Sequence, residues 1–262
     1  MSGGTAGEMP FLDHLEELRW RIIWSLAALV VGVGLGFFIV FRLDLLTWMQ
    51  GPILPFLQGR RLVYTHPSDG FSIVLQTSIV IGLVVALPMI LYQLWLFLSP
   101  ALHRHEKKVA LPVILGIVVL FVAGAALAWY FVLPMTLGFM FGIGNDAFDS
   151  MITAREYFGF VTSMVFAMGA VFELPVAVLL LSFFGLVTPH LLSKFRKHAL
   201  VGSYLVAAVI TPGDLFISSV MLMIPLYLLY EFSIGLSWMV FRRRARAALA
   251  EAAADDVHGA VA

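Results

Sequence analysis

The chain has 262 residues, of which 61% are apolar and only 12% charged, and its mean hydropathy is +0.98. Soluble domains are about 45–50% apolar, so this composition indicates an integral membrane protein. The 16 basic and 16 acidic side chains balance, which excludes the basic field of a nucleic-acid-binding protein, and the lack of cysteine excludes disulfides, thiol nucleophiles and cysteine-based zinc sites.

The apolar stretches predict six membrane-spanning helices joined by polar loops, and hence an all-α polytopic membrane protein. The second stretch is too long to stand upright and contains Pro88, so it should tilt or kink. The last two begin with apolar runs of only about 12 and 16 residues, or roughly 18–24 Å, so the membrane should be thinner there. The predicted spans are residues 22–41, 71–98, 109–137, 157–187, 199–211 and 215–241.

The spans form one predicted domain, residues 1–246. Residues 42–70 are expected to be a polar loop with three prolines. The alanine-rich, acidic tail, residues 247–262, is expected to be disordered or weakly helical. No internal repeat is evident in the sequence, which argues against the paired broken helices of inverted-repeat transporters.

The distribution of positive charge predicts that both termini are cytoplasmic. Basic residues concentrate in cytoplasmic segments, and with this orientation twelve lie inside and four outside. The inner residues are Arg19, Arg21, Arg104, Lys107, Lys108, Lys194, Arg196, Lys197, Arg242, Arg243, Arg244 and Arg246, and the outer ones are Arg42, Arg60, Arg61 and Arg155.

The fourth span carries a single charged side chain, Glu173, near its midpoint. A helix places it roughly 22 Å from either end, where a carboxylate is costly unless it faces protein or water. Pro175 weakens the helix at the same depth and frees a backbone carbonyl. Glu173 is therefore either a functional polar point or a protonated carboxyl that is hydrogen-bonded to a neighbouring helix.

Residues 10–21 predict an amphipathic helix that continues into the first span. Glu17 and Arg21 are spaced to form an ordinary i,i+4 pair. The acidic side chains of Asp13, Glu16 and Glu17 would instead suit a basic ligand at a surface where acidic groups repel anionic lipid. An apolar stripe at helical spacing is formed by Phe11, Leu15, Leu18 and Ile22.

Glu106 is a second candidate carboxylate, at the start of the third span. It could compensate the positive N-terminal end of that helix. Alternatively, Glu106 and Glu17 lie on the same membrane face and could each accept a guanidinium bidentately. His103 and His105 have no further ligand set nearby in the sequence, so we interpret them as interfacial histidines and not as a metal site.

Several motifs follow one another along nearly the whole chain. They are Phe11-Leu-x-His14-Leu-x-Glu17-Leu-Arg19-x-Arg21, then Pro88 with Gln93-x-Trp95-x-Phe97-x-x-Pro100-x-Leu102 and Glu106, then Phe172-Glu173-x-Pro175, then Thr211-Pro212-x-Asp214 and Glu231. Taken together, they resemble the TatC family, the multi-spanning receptor subunit of the twin-arginine protein translocase. Ala101 stands where many members have glycine, and Ser218 where some carry a longer polar side chain that bears on how partner helices dock.

The resemblance implies six helices in a cupped arrangement in the inner membrane, with a cytoplasmic site for twin-arginine signal peptides. It also implies single-span partner subunits and export of folded proteins driven by the proton-motive force, without enzymatic activity, cofactor or metal. The implied signal-peptide contacts are Glu17, Glu106, Phe97, Arg19, Leu15 and His14. Glu173 and Pro175 would form an intramembrane docking point, and Pro212, Asp214 and Ser218 an external turn between the short helices.

The alternative class is a proton-coupled small-molecule secondary transporter that uses Glu173 as its proton site. The missing repeat, the single carboxylate expected to be buried and the acidic cytoplasmic entrance argue against it.

Overall fold

The computed structural model describes residues 11–98, 110–142, 151–183, 185–211 and 216–261, and these residues are almost entirely helical. In this part of the chain, the only extended pairing is an isolated bridge between Val63 and Thr153. The prediction of an all-α membrane protein is confirmed. The helices are α1 Phe11–Arg42, α2 Leu45–Met49, α3 Asp69–Leu98, α4 Ala110–Leu127, α5 Leu133–Gly142, α6 Ala154–Phe172, α7 Leu174–Phe183, α8 Pro189–Lys194, α9 Arg196–Ile210 and α10 Ile217–Val261.

Five helical segments of the described residues are long and apolar enough to cross a membrane, and they match five of the predicted spans. The remaining prediction, residues 199–211, falls on α9, which has only 15 residues and rises about 22 Å. A span count of six therefore stays a prediction. The five segments are Asp13–Arg42, Asp69–Phe97, Val113–Gly142, Ala154–Phe183 and Ser218–Arg243.

A first compact unit is formed by the described parts of Met1–Gly51, Gly59–Val118 and Met151–Thr162. Its main contact is the packing of α1 against α3 through Gly32 and Gly36 on one helix and Gly82 on the other. A Cβ atom at Gly82 would lie 2.5 Å from the Cα of Val33. Small residues permit this close backbone approach between membrane helices, where lipid supplies no hydrophobic driving force.

The segment between α1 and α3 has more regular structure than the polar loop that the sequence predicts. It contains α2 and a 3-10 helix, Gly51–Phe56. Val63 exchanges backbone hydrogen bonds with Ile152 and Ala154, and the Tyr157 hydroxyl donates to the Met49 carbonyl at 2.6 Å. These partners are distant in sequence, so a local pattern could not reveal them.

A second unit is formed by the described parts of Pro52–Gln58, Val119–Ser150 and Ser163–Ala262. In it, α10 packs against α7, α8 and α9. Val178, Leu192 and Ile234 form a buried cluster, and the Ser182 hydroxyl donates to Ser237 Oγ at 2.8 Å. One side of α10 is therefore covered by these three helices.

The fourth predicted span is divided at Glu173 into α6 and α7. The Glu173 amide donates to the Ala170 carbonyl at 3.1 Å, which forms a tighter i→i−3 turn. Pro175 has no backbone N–H, so it cannot continue the series of i→i−4 hydrogen bonds. The span also ends earlier than predicted, because α7 stops at Phe183. Gly185 follows at φ +72°, and the Leu186 amide closes back on the Leu181 carbonyl at 3.0 Å.

The C-terminal segment, which was expected to be disordered or weakly helical, is helical in the structure. Helix α10 continues through residues 247–261, so that it is 45 residues long. Alanine has the highest intrinsic helix propensity, and this stretch is rich in it. Composition thus favours the weakly helical alternative over disorder.

Candidate functional site

The candidate site lies near the start of α1, where a chain of three polar side chains joins α1 to α3. Glu17 Oε1 accepts a hydrogen bond from Arg21 at 2.9 Å, one helical turn away. Arg21 Nη1 in turn donates to Gln93 Oε1 on α3 at 3.3 Å. Gln93 is buried, so it holds Arg21 in place, and Arg21 orients the Glu17 carboxylate.

The second oxygen of Glu17 is available for another donor. It is buried and accepts no hydrogen bond within the described part of the chain. His14 Nδ1 lies 3.9 Å from this oxygen, and the contact counts as an ion pair only when the imidazole is protonated. The Glu17 side chain as a whole is 18% exposed, although this oxygen itself is buried.

An aromatic pair borders this carboxylate. The rings of His14 and Phe97 stack with centroids 4.4 Å apart and planes 13° apart. Phe97 lies four residues after Gln93 on α3, hence on the same helix face. The structure therefore brings together three of the predicted site residues, His14, Glu17 and Phe97.

Leu15 and Arg19 point away from this cluster and are exposed. The Arg19 guanidinium lies 5.9 Å from the centroid of the Trp20 ring, within cation–π range. Glu106 lies outside the described residues, so its distance from Glu17 is not defined and the two-carboxylate site stays a prediction.

A second polar point is Glu173, in the turn between α6 and α7. Both of its carboxylate oxygens are buried and have no hydrogen-bond partner among the described residues. Pro175 is buried as well. The residue before Glu173 is closely packed in this unit, because a Cβ atom at Gly124 would lie 2.9 Å from the Cβ of Phe172. The carboxyl group is therefore held in a packed region of a predicted span.

Ser218, at the start of α10, is fully buried. Next to it, the Thr211 hydroxyl donates to the Ala207 carbonyl at 2.7 Å and lies 2.9 Å from Ser219 Oγ. A buried polar cluster thus lies at the adjoining ends of α9 and α10. Pro212 and Asp214, which were predicted for the same turn, lie outside the described residues.

Two polar contacts were missed by the sequence reasoning. Gln93 enters the sequence analysis only as part of a motif, although a polar residue within an apolar span is a signal for a role in the site. Glu231 also accepts a two-point contact from Arg196, with Nε–Oε1 and Nη2–Oε2 both at 2.9 Å, and a bond from the Tyr227 hydroxyl. No group of three possible metal ligands occurs among the described residues.

Comparison with known proteins gives consistent matches. A family model described as "Sec-independent protein translocase protein (TatC)" matches residues 13–225. The TatC protein of Aquifex aeolicus (strain VF5) is 36% identical over 238 residues, which cover 90% of this chain and 98% of that protein. TatCd of Bacillus subtilis (strain 168) is 35% identical, with 94% and 98% covered.

A solved structure agrees in fold as well as in sequence. The "Crystal Structure of Twin Arginine Translocase Receptor- TatC" superposes with a TM-score of 0.71 at 36% identity, covering 87% of this chain and 99% of that one. The resemblance drawn from the motifs is therefore confirmed. The chain is a multi-pass membrane protein that belongs to the TatC family of Sec-independent protein translocase proteins.

Proposed function

We propose that this chain is the receptor subunit of a twin-arginine translocase and that Glu17 accepts one arginine of the signal peptide. The observation that carries the proposal is the Glu17 carboxylate, of which one oxygen is bonded to Arg21 and the other accepts no bond in the described part of the chain. The solved structure with the same fold is titled a twin-arginine translocase receptor.

The chemistry of the carboxylate supports this role. An ionised carboxylate offers about four lone-pair sites, and Arg21 uses one of them. A guanidinium from a ligand can therefore bind without displacing Arg21. Because Gln93 restrains Arg21, the carboxylate keeps its orientation before the ligand arrives.

The surroundings suit the rest of a signal peptide. The stacked rings of His14 and Phe97 offer a flat surface against which a guanidinium or an apolar side chain can pack. Leu15 and Arg19 are exposed on another face of the same helix, where we propose that they contact a separate part of the signal peptide. Glu106 is the proposed partner of the second arginine.

The remaining parts of the proposal concern orientation and assembly. Both termini face the cytoplasm, and the protein acts with single-span subunits to export folded proteins at the expense of the proton-motive force. Glu173 with Pro175 is the proposed docking point for a partner helix, and Pro212, Asp214 and Ser218 form the proposed external turn between the short helices. The docking point is supported by the buried oxygens of Glu173, which have no hydrogen-bond partner among the described residues.

The binding role is tested with Glu17→Ala. A twin-arginine peptide should bind the detergent-solubilised variant roughly 10- to 150-fold more weakly, because loss of a charge-assisted hydrogen bond costs about 1.5–3 kcal/mol. A lysine pair should also bind the wild type less well, since an ammonium cannot form the planar fork. The measurement is a fluorescence titration with labelled peptide.

Glu16→Ala is the matched control, because Glu16 is an exposed carboxylate on the adjacent position of the same helix. Its removal subtracts the same charge but leaves the hydrogen bonds of Glu17, Arg21 and Gln93 intact. The affinity for the twin-arginine peptide should therefore change less than twofold, roughly the effect of one screened surface charge. Equal losses in both variants would reduce Glu17 to a contributor to the general acidic field.

A further inference from the structure

We infer that the end of α10 carries a binding groove for one anionic phospholipid. The groove has a volume of about 330 Å³ and lies on a single helix face. Two rows of i,i+4 neighbours line it. One row is Gly235, Met239 and Arg243, and the other is Trp238, Arg242 and Arg246.

The groove faces away from the rest of its unit. Ile234, Ser237 and Val240 lie on the opposite side of α10 and are buried, and Ser237 is bonded to Ser182 of α7. Trp238 and Met239 are about half exposed, and Arg242, Arg243 and Arg246 are exposed. The face is therefore open to whatever surrounds the helix.

The polarity of the groove changes along its length as that of a phospholipid does. The membrane-spanning segment ends at Arg243, so Gly235 and Met239 lie within the apolar span and the arginines lie at its boundary. The distance along the helix from Gly235 to Arg246 is about 16 Å, which covers the upper part of an acyl chain and a headgroup. Trp238 lies between the two regions, the depth at which tryptophan is enriched in membrane proteins.

The charges of the groove are available to an anion. Among the described residues, none of the three guanidiniums pairs with a carboxylate, and Arg242 has only a cation–π contact, 5.6 Å from the centroid of the Trp238 ring. Gly235 leaves the apolar end open, since a Cβ atom there would meet no atom within 4 Å. A lipid phosphate on the arginines with a chain over Gly235 satisfies both ends with a single ligand. An acidic partner peptide would use only the basic end.

The test is lipid binding by the full chain in a neutral detergent, measured by native mass spectrometry. Phosphatidylglycerol is the probe, and phosphatidylcholine, which has no net charge, is the reference lipid. Each basic side chain near anionic lipid contributes about fivefold to binding, so Arg242→Gln, Arg243→Gln and Arg246→Gln together should weaken phosphatidylglycerol binding at least tenfold, on the order of 100-fold at low salt. Phosphatidylcholine binding should stay unchanged. Unchanged phosphatidylglycerol binding in this triple variant overturns the site.

A matched triple variant, Arg61→Gln, Lys194→Gln and Lys197→Gln, removes the same charge from other exposed positions. It should keep the preference for phosphatidylglycerol, and an equal loss would assign binding to net charge and overturn the groove. The corresponding Arg→Lys triple variant keeps the charge and should also keep most of the preference. Both variants are checked for helical content by circular dichroism, so that unfolding is not mistaken for lost binding.

Gly235→Leu tests the apolar end, because it fills the groove without a clash and without changing the charge. It should weaken phosphatidylglycerol binding severalfold, and unaltered binding would leave only a charged helix surface. Excess inorganic phosphate should displace little lipid, whereas full displacement would make the site a phosphate site. An acidic peptide serves as a further probe. If the Arg242, Arg243 and Arg246 triple Gln variant lost binding of this peptide but kept lipid binding, the face would be assigned to a protein partner and the lipid site would be wrong. Peptide binding at Glu17 is measured in parallel and should stay constant, so the two proposals fail separately.

Discussion

Glu173 is the residue at which a docking role and a proton-carrying role can be separated. Its two oxygens are buried without a hydrogen-bond partner in the described part of the chain, and the helix ladder is interrupted beside it. A buried polar group without a partner costs about 1–3 kcal/mol, so a donor supplied by another helix would bind there favourably. A proton carrier would instead need a carboxyl that gains and loses a proton in each cycle.

The substitution Glu173→Gln should therefore retain export of a folded twin-arginine substrate. An amide still offers an acceptor and adds donors, although it cannot titrate. Glu173→Leu removes all hydrogen bonding and should impair assembly with the partner subunits. Export into membrane vesicles and co-purification of the partners measure the two effects.

Glu156→Gln is the control for this series, because Glu156 is an exposed carboxylate in the first turn of α6. It should leave both readouts unchanged. If Glu173→Gln assembled normally but exported nothing, the docking role would be wrong and a titrating carboxyl would be required.

Among the helices, the packing of α1 on α3 depends on backbone approach at glycine. The Cβ of an alanine at Gly82 would lie 2.5 Å from the Cα and 2.6 Å from the amide nitrogen of Val33, and neither backbone atom can move aside as a flexible side chain would. Overpacking of this kind costs about 1–3 kcal/mol. The contact also sets the register that brings Gln93 to Arg21.

Gly82→Ala should accordingly lower the thermal stability of the solubilised protein and weaken twin-arginine peptide binding. Gly34→Ala provides the comparison, since a Cβ atom there meets nothing within 4 Å, and alanine is the better helix former. It should be neutral or slightly stabilising. Thermal unfolding followed by circular dichroism distinguishes the two, and equal melting temperatures would show that the helices can separate without loss.

The long helices could be predicted because a hydrocarbon layer imposes a minimum apolar length that is legible in one sequence. The break at Glu173 could be predicted from Pro175 for an equally local reason. The segment between α1 and α3 could not, because the bridge at Val63 depends on residues about 90 positions away.

The candidate site shows the same limit. His14, Glu17 and Phe97 were identified through the motif resemblance, and the structure brings the three together. The role of Gln93 was missed because its bond to Arg21 spans 72 positions and requires the register of α1 against α3. Periodicity assigns a residue to a helix face, but it does not say which residue of another helix lies opposite.

For the whole molecule, the orientation of the helices in the membrane follows from the distribution of basic residues. The excess of twelve basic residues over four predicts that the segments around Arg104, Lys194 and Arg244 are cytoplasmic and those around Arg60 and Asp149 external. The prediction depends on the short helix α9. The segments before and after α9 lie on opposite membrane faces only if this helix, about 22 Å long, crosses the bilayer.

Reporter fusions at these five positions measure the orientation directly. Alkaline phosphatase is active only outside the cytoplasm, so it should be active after Arg60 and Asp149 and inactive after Arg104, Lys194 and Arg244. If α9 does not cross, the fusion after Lys194 should agree in sign with one placed after Phe216, at the start of α10. In the six-span arrangement α9 crosses the membrane between these two positions, so the two fusions should differ. Membrane thinning lets such a short helix cross at a modest cost per ångström of mismatch. Agreement between the two would reduce the chain to five spans and put its termini on opposite faces.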